Sequence, residues 1–212
     1  MRRHPLTQQE RTLVFASAAL LLRYPDEQLL ERLPLLRRVT DRLPSSTAAP
    51  LDGFLDHLTA SPLIDLQAGY VATFDLKRRH CLYLTYYLNG DTRRRGLALW
   101  RFQDAYRSRG LTVDAGELPD FLPVVLELAA SGPEDLALAL LSEHRQGLEV
   151  LARSLREATS PYATVVDVLR AALPEPTPAV LAAAATLAAE GPPVEQVGLE
   201  PFFAVETLGV RS

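Results

Sequence analysis

Cys81-Leu82-Tyr83-Leu84-Thr85-Tyr86-Tyr87-Leu88-Asn89-Gly90-Asp91 is the stretch on which the fold class turns. Its apolar and aromatic run fits a buried strand as well as a short helix, because periodicity does not separate the two at that length. Asn89-Gly90 is also a common hairpin loop. A hairpin would need an alternating apolar pattern after Gly90, and none follows. Asp91 is instead a good helix cap, and Leu99, Phe102 and Tyr106 fall on one helical face that stops at Gly110. The segment therefore reads helix, loop, helix, and the rest of the chain agrees with an all-α fold.

Working outward toward the N-terminus, Leu63, Leu66, Tyr70 and Phe74 recur at helical spacing after Pro62, as do Leu51, Phe54, Leu55 and Leu58 before it. Residues 44–50, bounded by prolines, read as a linker loop. Asp26 looks like the cap of a helix carrying Leu29, Leu30, Leu33 and Leu36, which Pro34 must kink or end. Thr7-Gln8-Gln9-Glu10 has capping-box spacing and predicts a first helix up to Arg23. The apolar run from Leu13 to Leu22, behind Arg2 and Arg3, resembles a signal peptide only superficially. It is about ten residues long, well short of the ~20 that a membrane-spanning helix needs, and is expected to be a core helix.

Toward the C-terminus, residues 120–130, 133–158, 161–173 and 177–189 each start near a proline or small polar cap and carry Leu and Val at helical spacing. Gly147 is a candidate break in the longest of these. Nothing repeats at a fixed period, so a solenoid is not expected. The expectation is one multi-helix bundle over residues 1–190, followed by a loosely attached tail over 191–212 that holds Pro192, Pro193 and Pro201.

Length and composition fit that picture. A chain of 212 residues with 48% hydrophobic and 23% charged side chains suits one domain with a sizeable core, despite its 16 prolines. A net charge of −4 gives no reason to expect nucleic acid or an anionic membrane as the main partner, whereas a basic peptide is tolerated. The single cysteine, Cys81, forms no internal disulfide and no thiolate zinc site, which suits a reducing compartment, the cytoplasm. His4, His57, His80 and His144 lie far apart without metal-ligand spacing and read as surface or packing residues. There is no phosphate-binding glycine loop and no Gly-x-Ser-x-Gly elbow, and a thiolate at Cys81 would be costly in its apolar run. No catalytic constellation, metal or cofactor is expected.

Three features stand out. Arg93-Arg94-Arg95 opens a helix, where cations oppose the macrodipole; the run is either a solvated basic turn or pairs with an acidic mate, Asp91, Asp75 or Glu117 within the chain or an external partner. Tyr70, Phe74, Tyr83, Tyr86 and Tyr87 gather much of the aromatic content; they either fill the core or line a groove offering rings to an apolar peptide face. Glu117-Leu118-Pro119-Asp120-Phe121-Leu122-Pro123 is a rigid helix start which, with Glu127, adds acidic character suited to a basic peptide.

At these segments the chain resembles the NarJ family of nitrate reductase assembly chaperones, within the wider group that includes TorD and DmsD. The likeness is carried by Tyr70-Val71-Ala72-Thr73-Phe74-Asp75, Leu82-Tyr83-Leu84, Gly90-Asp91-Thr92-Arg93-Arg94-Arg95-Gly96 and Glu117-Leu118-Pro119-Asp120 with Leu122-Pro123 and Leu126-Glu127. Leu22-Arg23-Tyr24-Pro25-Asp26 resembles the family's opening, and Val197-Gly198-Leu199-Glu200-Pro201-Phe202 resembles its actinobacterial-type members. Cys81 stands where serine is familiar. The resemblance implies an all-helical, non-catalytic chaperone that binds the N-terminal segment of the apo catalytic (alpha) subunit of respiratory nitrate reductase. It also implies help with molybdenum cofactor insertion before membrane attachment, through contact with the insertion machinery. On that reading Tyr70, Phe74, Tyr83 and Tyr86 are groove residues, Glu117, Asp120 and Glu127 are acidic contacts, and Arg94 with Asp91 is a structural clasp. The alternatives are a direct molybdenum cofactor carrier using Arg93, Arg94 and Arg95, a chaperone for a related molybdoenzyme, and, from another class, a helical nucleic-acid module.

Overall fold

The structure, a computed structural model, describes residues 5–113 and 116–194. Among them are eleven α-helices and no strand beyond a single antiparallel bridge between Tyr83 and Phe121. The all-α expectation holds.

Helix α1 (Gln8–Leu21) starts where local chemistry puts it. The Thr7 hydroxyl accepts from the Glu10 amide at 3.2 Å, and the Glu10 carboxylate accepts from the Thr7 amide at 2.7 Å. Its buried face, including Val14, Phe15, Ala18, Ala19 and Leu21, is the centre of the bundle. The small side chains on that face let the chain's most extensive helix pairing form, between α1 and α7 (Leu122–Ser131). Helix α10 (Tyr162–Ala172) also packs on α1, and α9 (Arg145–Glu157) and α3 (Ser45–Ala60) pack on α10. The core runs through these contacts without interruption.

Helix α2 (Glu27–Thr40) is capped by the Asp26 carboxylate, which accepts from the Leu29 amide at 2.8 Å. Pro34 does not end it; the helix runs on through the proline. The proline sits on the exposed face, so the hydrogen bond it forfeits faces water, while Leu29, Leu33 and Leu36 stay buried. Residues 44–50 are a correction, being no linker. Helix α3 begins just after Pro44 and runs through Pro50, its face of Leu51, Phe54, Leu55 and Leu58 offsetting the lost bond. Helix α4 (Leu63–Tyr70) continues into a π-helical turn over Val71–Asp75. A 3-10 turn, Arg78–His80, follows; there a ring nitrogen of the buried His80 lies 2.8 Å from the Thr73 carbonyl oxygen.

The decisive stretch is helix, loop, helix: α5 (Leu84–Asn89) and α6 (Arg93–Arg107). Between them Gly90 takes a φ of +58°, and the Pro193 carbonyl lies against it with no room for a Cβ. Asp91 is not the cap; Thr92 holds that position, and its hydroxyl donates to the Asn89 carbonyl at 2.8 Å. The 133–158 stretch breaks at His144, not at Gly147, giving α8 (Glu134–Glu143) and α9. Gly147 lies within α9 because the Tyr87 ring presses on it. Helix α11 (Pro178–Glu190), capped by Thr177, lies on α9. Of the expected tail, residues 195–212 lie outside those described.

An ion-pair cluster ties α9 to α10. Arg145 donates to Glu149 at 2.8 Å and to the Arg170 carbonyl at 3.2 Å, and Arg170 pairs with Glu149 and with Asp167. No helix among the described residues is long and apolar enough to cross a membrane.

Candidate functional site

The end of α1, the start of α2, the end of α4 and the segment leading into α7 converge around a trough of about 630 Å³. Arg23 and Tyr24 stand on its α1 side, with Gln28 and Arg32 from α2. Tyr70, Tyr83 and Phe121 give it an aromatic lining, and Glu117 and Glu127 complete it beside Arg23. Its volume lies in the 300–1,000 Å³ range usual for binding clefts.

The aromatic lining is fixed by contacts that leave it little freedom. Tyr70 is buried; its hydroxyl donates to the Leu22 carbonyl at 3.1 Å, and its ring meets Tyr24 edge-on with centroids 5.5 Å apart. Burial pushes the Tyr70 phenol well above its ordinary pKa, so it stays neutral and a donor. Tyr24 is 48% exposed and presents ring surface to solvent. Tyr83 lies between the Phe121 ring at 5.2 Å and the Arg95 guanidinium at 5.5 Å. Its phenol too is raised, by burial first and then by Glu117.

The acidic side is already occupied by a cation from within the chain. Arg23 reaches Glu127 at 3.1 Å and Glu117 at 3.7 Å. All three side chains are partly exposed, so each contact is of the weak, solvent-screened kind.

Of the residues singled out in the sequence, Tyr70, Tyr83, Glu117 and Glu127 come together here. The others do not. Phe74 is core, packed behind Tyr70 at 4.8 Å and against Tyr162 at 4.8 Å. Tyr86 is buried beside Tyr87, outside the trough lining. Asp120 is 0% exposed and cannot meet a docked partner. One of its oxygens accepts from the Thr85 amide at 3.1 Å and the Thr85 hydroxyl at 2.6 Å, satisfying the first turn of α5 from across the chain. Backbone bonds from Leu84 to Asp120 at 3.0 Å and from Leu122 to Leu82 at 2.8 Å lock the same junction. Arg94 makes no clasp; it is exposed, without a side-chain hydrogen bond or ion pair among the described residues. Arg95 does that work, pairing with Asp91 at 3.5 Å while lying over Tyr83. The turn of a helix points side chains one residue apart about 100° apart, and it is Arg95 that faces inward.

Arg23, Tyr24, Arg32 and Phe121 were not chosen from the sequence as site residues. The signal was present for two of them in Leu22-Arg23-Tyr24-Pro25-Asp26, a polar and aromatic interruption just past an apolar helix. Among the described residues no group of three or more His, Cys, Asp or Glu gathers to hold a metal. Burial pushes the Cys81 thiol up to about 11, which leaves it unreactive at neutral pH.

Residues 40–166 match the nitrate reductase delta subunit family. The chain is 38% identical over 159 residues to the nitrate reductase-like protein NarX of Mycobacterium tuberculosis, covering 74% of this chain but only 24% of that protein. It is 31% identical over 168 residues to NarJ of Bacillus subtilis, named as a probable nitrate reductase molybdenum cofactor assembly chaperone, covering 77% of this chain and 90% of that one. A crystal structure from Archaeoglobus fulgidus, assigned as a redox enzyme maturation protein, superposes with a TM-score of 0.55 at 24% identity. It covers 80% of this chain and 95% of its own, and shows that the fold is shared.

Proposed function

This chain belongs to the nitrate reductase delta subunit family, and from that premise and the trough we propose that it is an assembly chaperone for a nitrate reductase. In this role it binds the N-terminal segment of the catalytic subunit and keeps the apoprotein open to molybdenum cofactor insertion before membrane attachment. It acts by binding, in the cytoplasm, and catalyses nothing.

The observation that carries this reading is the meeting of an aromatic lining with two carboxylates in one open trough. An amphipathic helix docks by burying side chains at i, i+3 or i+4 and i+7, and pairs its charges at the rim. Tyr24, Tyr70, Tyr83 and Phe121 offer ring surface for the apolar anchors, and Glu117 and Glu127 offer acceptors for a basic flank. Burial supplies affinity, and the charges set orientation.

Calorimetric titration of the full chain with a synthetic peptide of the nitrate reductase catalytic subunit's N-terminus, beside a scrambled control, tests this. Binding at micromolar Kd or tighter by the genuine peptide alone is expected. Equal affinity for both peptides, or none for either, refutes the reading.

A further inference from the structure

Arg23, Glu117 and Glu127 line a second trough as well, of about 300 Å³, so that their ion pairs are shared between the two. Leu111, Val113, Val124 and Leu128 give it an aliphatic wall, and Tyr106, Thr112 and Ser131 complete the lining. A guanidinium and the two carboxylates it bridges thus border both spaces. All three side chains are solvent-accessible, and partly exposed ion pairs hold weakly.

We propose that the second trough is the continuation of the peptide site, and that a basic side chain of the guest opens it by taking Arg23's place on Glu117 and Glu127. The exchange keeps the number of charges on the carboxylates constant, so no acid is left unpaired at any stage. Arg23, released, turns its long side chain to water. The occupant is thereby specified: an apolar anchor for the aromatic trough, a basic residue at the shared carboxylates, and an aliphatic anchor one helical turn beyond it, for the Leu111, Val113, Val124 and Leu128 pocket. A guest lacking the basic residue leaves Arg23 in place and reaches the first trough only. This inference rests on the docking reading above and extends it.

The test uses the full-length chain, the same N-terminal peptide, and copies of that peptide in which each basic side chain in turn is replaced by a neutral one of similar length. Arg23→Gln removes the internal competitor and is expected to tighten binding about two- to five-fold, the range of a partly exposed ion pair. The gain should vanish in Arg23→Gln/Glu127→Gln. Ser131→Trp, at an exposed position that lines the second trough and not the first, narrows the second trough and is expected to weaken binding about ten-fold. One position in the peptide should lose its Arg23→Gln gain when neutralised. If the peptide binds but neither Arg23→Gln nor Ser131→Trp alters Kd while both proteins melt normally, the second trough is not used and only the first stands. Looser binding by Arg23→Gln makes Arg23 a contact and overturns the exchange. No binding to any form of the protein overturns both the exchange and the docking reading.

Discussion

Replacing Asp120 by alanine distinguishes a structural carboxylate from a peptide contact. The substitution removes the acceptor of two buried donors, the Thr85 amide at 3.1 Å and the Thr85 hydroxyl at 2.6 Å. Hydrogen bonds to a charged acceptor are worth about 1.5–3 kcal/mol each, so the gross loss is about 3–6 kcal/mol. Asp120 Oδ1 is buried without a partner among the described residues, and removing it recovers about 1–3 kcal/mol of desolvation. The net cost centres on about 2.5 kcal/mol, within limits of about 0–5, and at its centre lowers Tm by about 5–10 °C for a chain of this size. Asp120→Asn retains an acceptor for Thr85 and should lose about 1 kcal/mol. In Thr85→Val the effect of Asp120→Ala should shrink by more than half, because the two share the same bonds. Calorimetric melting measures all three, with peptide affinity read at a temperature where every variant is folded. A Tm within a degree of wild type, together with a weakened peptide Kd, would refute the structural role and return Asp120 to the binding surface.

Two further substitutions bear on the frame that holds the site. Gly147→Ala puts a Cβ 2.7 Å from the Tyr87 ring, and that ring has no room to yield, being buried and held by hydrogen bonds from its hydroxyl to Arg79 at 3.1 Å and Cys81 at 2.9 Å. Overpacking of about 1–3 kcal/mol should exceed the gain of about 1 kcal/mol in helix propensity. Tm should fall, and a rise would show that Tyr87 moves freely. Burial pushes the Glu149 carboxyl up, but the bonds from Arg170 and Arg145 outweigh it and hold its pKa below the usual value. A depressed folded pKa means the stabilisation is complete above the ordinary carboxylate value, about 4.3, and is lost as pH falls through the folded value. Glu149→Gln should therefore cost about 3–5 kcal/mol at pH 7, since it leaves Arg145 buried, and urea midpoints of mutant and wild type should converge toward pH 3. A gap independent of pH would contradict the assignment.

Helix starts at Thr7, Asp26 and Thr177, the apolar run of α1 and the leucine-bearing faces of α3 and α9 were legible from residues alone, as was the family. Caps and faces depend on residues within one or two turns, so local spacing carries them. Local rules misled at Pro50, where burial of a continuous apolar face overrode a broken backbone bond, and at Pro34 the helix likewise runs on. They misled again at Gly147, kept small by a ring from α5 and not by a break in its own helix. The site shows the same division. That aromatic and acidic residues around 70–127 matter was readable, but their exposure was not. Asp120 and Glu127 look alike in sequence, yet one is sealed against Thr85 and the other stands half in water beside Arg23. That difference comes from which distant segments the bundle brings together. A carboxylate's environment is set by neighbours through space, and the partners here, Thr85 and Arg23, lie far from it along the chain.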